Sequence, residues 1–187
     1  MFPDDSDLSA LLDRYERPLV RYAQSILGDL EAARDVAQET FIKLVTGPGP
    51  SGKSDGAKPH PANPDSRPLS AWLFTVCRNL AFDVRKKENR MSALTEPETI
   101  TAGYDGTGTL ERQETMAQVL RLMDSLPTNQ REVLRLKFQC DLSYREISEI
   151  THLSVTNVGF LIHTAIKSLR KELLAEAKKG GSNEFQS

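Results

Sequence analysis

The chain is poor in the residues that most often carry catalysis or covalent cross-links, with two cysteines, three histidines and one tryptophan in 187 residues. Cys77 and Cys140 stand far apart, each within an apolar-rich helical pattern, and read as buried thiols of a cytoplasmic protein rather than a disulfide or a metal pair. His60, His152 and His163 share no zinc-ligand spacing with nearby carboxylates. There is no nucleophile elbow and no phosphate-cradling glycine loop. The expectation is a non-enzyme with no metal and no cofactor. No apolar run reaches the length of about eighteen residues that a spanning helix needs, so no membrane insertion is expected. The opening MFPDDSDLSALL is acidic and lacks a basic flank, unlike a secretion signal.

A net charge of -2 argues weakly for nucleic-acid binding, but the average hides a division by segment. Residues 1–50 hold nine acids and five bases, and residues 67–90 hold six bases and two acids. Residues 91–109 hold three acids and no base, whereas 161–179 hold five bases and two acids. Such sorting suits a molecule that turns one surface to phosphates and another to a protein.

Apolar spacing predicts an all-α chain. Leu8, Leu11, Leu12, Tyr15, Leu19, Tyr22 and Ile26 mark a first helix, which Pro18 is expected to kink or divide. Asp29 is placed to cap a second, with Ala33, Val36, Ala37, Thr40, Phe41 and Leu44 inward and Glu31, Arg34, Asp35, Gln38, Glu39 and Lys43 outward. Residues 46–69 contain six prolines and four glycines and predict a mobile loop, long enough to be an insertion. Ser70 is the expected N-cap of a third helix, with Trp72, Leu73, Val76, Leu80 and Val84 inward and Arg78, Asn79, Arg85, Lys86, Lys87 and Arg90 on its exposed side and far end. The acidic, Thr/Gly-rich stretch 91–109 reads as a linker.

From Leu110 a helix leads into a compact module. Asn129 with Glu132, and Ser143 with Glu146, have the spacing of capping boxes, and Ser154 is placed to cap the last helix. Leu142, Ile147, Ile150, Leu153 and Val158 can close a small core around the tight turn at 151–153. That is a helix-turn-helix, which presents Thr156, Asn157 and Phe160 to a major groove while Ser154 and the helix amides approach a phosphate. The residues from Gly180 onward read as a frayed tail.

Taken together, DVAQETFIKLV (35–45), PLSAWLFTVCRNLAFDVRKKENR (68–90) and LPTNQREVLRLKFQCDLSYREISEITHLSV (126–155) resemble an extracytoplasmic-function (ECF) sigma factor of the sigma-70 family. The resemblance implies a region 2-like domain at 1–90 carrying the 46–69 insertion, an acidic linker at 91–109, a region 4-like domain at 110–179 and a tail at 180–187. It implies that Asp35, Gln38 and Glu39 meet the coiled coil of the largest subunit of core RNA polymerase. Arg67, Trp72, Arg78, Asn79, Arg85, Lys86 and Lys87 fall where the family holds the melted -10 promoter DNA. Ser154, Thr156, Asn157, Phe160, His163 and Lys167 fall where it reads the -35 element beneath the polymerase flap. Glu96, Glu98 and Asp105 suit a connector threading a basic channel, and an inhibitory anti-sigma partner is implied. The expected function is an alternative sigma subunit that enables transcription initiation.

Two departures from the family stand out. The loop before Trp72 contains no aromatic residue to stack on an unstacked base. In the last helix the family's basic positions are filled by Gly159, Leu161 and Thr164, while His163 remains. If each lost cation met one phosphate, the salt dependence of that contact falls by about 2–3 units of slope. The -35 contact is expected to be weak, differently specified, or partly replaced by a protein surface of Phe160, Leu161 and Ile162. Two other readings stay open: a helix-turn-helix regulator that does not bind core polymerase, and a core-binding decoy without promoter recognition.

Overall fold

The computed structural model describes residues 5–47, 49, 68–91 and 118–181. Most of the 46–69 segment, with Arg67, lies outside the described residues, as does nearly all of the 91–109 linker, with Glu96, Glu98 and Asp105. Among the described residues there are seven helices and no strand. They are α1 (Asp5–Leu27), α2 (Leu30–Thr46), α3 (Leu69–Met91), α4 (118–124), α5 (Thr128–Phe138), α6 (Tyr144–Thr151) and α7 (Val155–Gly181).

α1, α2 and α3 form one bundle. Gly28, at φ 82°, makes the left-handed turn between α1 and α2 that a side chain would disfavour. Asp29 then caps α2, accepting from the Ala32 amide at 2.7 Å, as its sequence position predicts. α1 is a single helix: Pro18 lies inside it, forfeiting one main-chain hydrogen bond without dividing the element. Leu19, Tyr22, Ala33, Val36, Ala37 and Phe41 enter the core, and the Tyr22 and Phe74 rings meet edge-on at 5.6 Å.

α3 differs from its expected register. Its fully buried residues are Ala71, Leu73, Phe74, Cys77 and Ala81, while Trp72, Val76, Leu80 and Val84 are only half-buried. The apolar stripe is broad because α3 packs on α1 and α2 with one side and on α6 with another. Ser70 is not the N-cap either: α3 begins at Leu69, and the Trp72 amide bonds to the Pro68 carbonyl.

α5, α6 and α7 form the second unit, closed by Val133, Leu136, Leu142, Ile147, Ile150, Val158 and Ile162. The Ser143–Glu146 capping box is present, with Ser143 N donating to Glu146 at 2.7 Å and Glu146 N donating to Ser143 Oγ at 3.2 Å. α6 ends at His152, whose φ of 59° supplies the left-handed C-cap and the sharp turn into α7. Ser154 caps α7 through the Asn157 amide at 3.2 Å. The Asn129–Glu132 capping box is absent. α5 begins at Thr128, so Asn129 lies inside the helix; Pro127 occupies the N-cap and has no side-chain acceptor to offer, and Glu132 bonds to Arg78 instead. α7 continues to Gly181, so the helix includes Gly180, where fraying was expected.

Candidate nucleic-acid and polymerase interface

The outward face of α2 carries the acidic cluster. Asp35 and Gln38 are exposed, and Glu39 is half-buried with an ion pair to Lys43 at 3.4 Å, one helical turn away. α2 turns its other face, Val36, Ala37 and Thr40, into the bundle, so these three polar side chains are held at fixed spacing on a rigid helix. An acidic patch of this kind is complementary to a basic protein surface.

The far end of α3 is its opposite in sign. Asn79, Arg85, Lys86, Lys87 and Arg90 are exposed, one turn and more beyond the half-buried Trp72. A run of cations along a helix end follows a phosphate backbone.

Arg78 departs from the expected pattern. It does not lie on the open basic face but points into the seam between the two units. Its Nε donates to Glu132 Oε1 at 2.7 Å and its Nη2 to Glu132 Oε2 at 3.3 Å, a two-point fork with side-chain exposures of 22% and 12%. The guanidinium also stacks over the Phe82 ring, 4.8 Å from its centre. Burial pushes the Arg78 pKa down, but the bond and charge of Glu132 outweigh it and the net shift is upward. Tyr22 donates to the same Glu132 oxygen at 2.8 Å. Burial, then Glu132, push the Tyr22 hydroxyl well above its ordinary value, so it remains a donor.

Two further bonds cross the seam. Ser70 Oγ donates to Glu146, and Arg135 Nη1 donates to the Ser25 carbonyl at 3.0 Å. Glu146 thus serves twice, closing the cap of α6 and reaching α3. Burial pushes its carboxyl up, yet the bonds from Ser143 and Ser70 and the charge of Lys137 leave it below its ordinary value. Burial holds Arg135 below the usual guanidinium range despite the nearby Asp124. None of these long-range partners is visible in the spacing of the sequence.

On α7, Thr156, Phe160, His163 and Lys167 are all exposed and follow one another along one side of the helix. Asn157 is exposed beside them, and Val158, Ile162 and Ala165 are buried behind. The alternative surface of Phe160, Leu161 and Ile162 is not formed. Ile162 is 3% exposed and Leu161 packs on the core, because consecutive helical residues point about 100° apart.

Among the described residues there is no group of three or more His, Cys, Asp or Glu side chains arranged to hold a metal ion. Cys77 is buried and Cys140 partly so, and burial pushes both thiols up to about 12. No helix among the described residues is long and apolar enough to cross a membrane.

Residues 11–54 match the family model Sigma-70 region 2, and residues 116–169 match Sigma-70, region 4. The ECF RNA polymerase sigma factor SigW of Bacillus subtilis is 29% identical, over 91% of this chain and 90% of that protein. The chain belongs to the ECF sigma factors of the sigma-70 family. The ECF RNA polymerase sigma factor SigL of Mycobacterium tuberculosis is 28% identical, over 89% of this chain and 88% of that protein. In fold, this sigma factor is similar to the sigma factor RpoE of Bartonella quintana, solved in complex with the anti-sigma factor NepR. That likeness has a TM-score of 0.61 at 21% identity, covering 90% of this chain and 97% of the other. As a family, sigma factors are non-catalytic specificity subunits, and this one is an alternative sigma subunit for transcription initiation. The matches to both regions do not favour a regulator built on the last module alone or a decoy.

Proposed function

We propose that this sigma factor divides its work among three helical surfaces. Asp35, Gln38 and Glu39 on α2 attach it to the basic coiled coil of the polymerase largest subunit. Trp72, Asn79, Arg85, Lys86 and Lys87 on α3, with Arg78 and with Arg67 outside the described residues, hold the melted -10 strand. Ser154, Thr156, Asn157, Phe160, His163 and Lys167 at the head of α7 read the -35 element beneath the flap. The observation that carries this reading is the separation of charge on one rigid bundle: Glu31, Asp35 and Glu39 outweigh Arg34 and Lys43 on the outward side of α2, and Arg85, Lys86, Lys87 and Arg90 outweigh Asp83 and Glu88 at the end of α3. A surface acid cluster and a surface base cluster held a fixed distance apart suit a subunit that grips protein with one and DNA with the other.

The domains are assigned as 1–90, 110–179 and the 91–109 connector between them. The protein works in the cytoplasm as a subunit without catalytic activity of its own. Because Glu132 occupies Arg78, the two units must part before that guanidinium can meet a phosphate, and core polymerase supplies the surfaces that draw them apart. The solved complex of the sigma factor RpoE with the anti-sigma factor NepR supports an inhibitory protein that acts on this chain as well.

Co-purification with core polymerase tests the attachment. Wild-type protein is expected to elute with the core enzyme, and the double charge reversal Asp35→Lys with Glu39→Lys to elute free. Retention of the reversed protein on core overturns the α2 assignment.

A further inference from the structure

Phe160 is 65% exposed, on the first turns of a helix whose N-terminus is fixed by Ser154. Exposure alone does not mark a contact, since Phe138 at the end of α5 is 64% exposed, so the surroundings of the ring decide. The composition around it discriminates between partners. A protein-docking ridge would extend the apolar surface, but Leu161 turns to the core and Ile162 is buried. The side chains that share the stripe are Thr156, His163 and Lys167, with Asn157 beside them: hydrogen-bonding groups and one cation. That mixture matches the edges of base pairs in a major groove, where the chief apolar feature is the 5-methyl group of thymine.

We infer that Phe160 is a specificity-determining residue, whose ring packs on the 5-methyl of a thymine in the upstream promoter element. The inference rests on the reading of α7 as the promoter-reading helix and adds to it what one position recognises and by which force. It also accounts for the thin charge on the outer face of this helix. With Lys167 the one cation among the four stripe residues, discrimination shifts from phosphate attraction to desolvation of a methyl group. A Cβ at Gly159 would meet the Tyr144 ring at 3.6 Å, so α6 covers that side of α7, while Phe160 remains 65% exposed.

The test uses the full chain bound to core polymerase. Upstream elements are first selected from a randomised template library by runoff transcription. Each thymine of the selected element is then replaced by deoxyuridine, which lacks only the 5-methyl. Wild-type holoenzyme is expected to lose about fourfold in open-complex formation at one position, the worth of one buried methyl. Phe160→Ala is expected to treat thymine and deoxyuridine alike, and Phe160→Leu to keep part of the preference. Exposure of residue 160 makes these variants compatible with folding, which circular dichroism checks. If selection yields an upstream element but every deoxyuridine is neutral, or Phe160→Ala shows the same loss as wild type, the Phe160 inference is overturned while the α7 reading stands. If the upstream sequence has no influence on initiation, both are overturned.

Discussion

Arg78 Nε and Glu132 Oε1 lie 2.7 Å apart although 54 residues separate them in the chain, and this pair ties α3 to α5. The fork spends on a carboxylate the guanidinium that the family resemblance assigns to DNA. Replacing Glu132 with alanine leaves Arg78 without its fork and Tyr22 without its acceptor. The expected cost is about 1–3 kcal/mol, the range for hydrogen bonds to partly buried charged groups. Urea unfolding should show a lower midpoint, and dyes on α2 and α7 should report a wider separation. An unchanged midpoint with an unchanged separation would show that the fork does not hold the units together.

Acid should loosen the same seam at a second point. Glu146 is depressed below its ordinary value of 4.5, so its contribution is present above that pH and is lost as pH falls through the lower folded value. Stability measured from pH 6 down to pH 3 should decline more steeply in wild type than in Glu146→Gln. Parallel curves for the two proteins count against the shared role of Glu146.

Much of the local structure was legible because its causes are local. Asp29 and Ser143 cap helices that begin within three residues of them, and the fourfold and threefold apolar spacing of α2 marks its buried face. Glu132 shows where that legibility ends. Its spacing from Asn129 is that of a capping box, yet a partner far along the chain claims its carboxylate. Ser70 departs from its expected N-cap role in the same way, since its hydroxyl bonds to Glu146, 76 residues away. In the candidate sites, the exposure of Asp35, Gln38, Arg85, Lys86 and Phe160 follows from helical phase. The withdrawal of Arg78 from the open face does not, because it depends on how the two units meet.

Gly159→Ala should stabilise the protein by about 0.5–1 kcal/mol, the helix-interior difference between the two residues. The added methyl finds ordinary contact distance to Tyr144. A rise in melting temperature checks it; a fall would mean that the head of α7 is packed more tightly than its geometry indicates.

The thiols should be inert while the chain is folded. Burial raises Cys77 and Cys140 from 9.0 to about 12, so both stay protonated at pH 8, where a free cysteine is already partly thiolate. A thiol-reactive reagent should label native protein slowly and urea-unfolded protein at once. The linked stability is fully present below pH 9 and is lost as pH rises toward 12. Rapid native labelling of both residues contradicts the burial.

Runoff transcription reconstituted from purified core polymerase, on a library of promoter fragments from the source genome, bears most directly on the division between α2 and α3. Core with this sigma factor is expected to yield discrete transcripts that core alone does not. Arg85→Glu with Lys86→Glu should abolish them while leaving the subunit attached to core, and Asp35→Lys with Glu39→Lys should abolish them by releasing it. Full transcript yield from both charge-reversed proteins contradicts the assignment of these two surfaces.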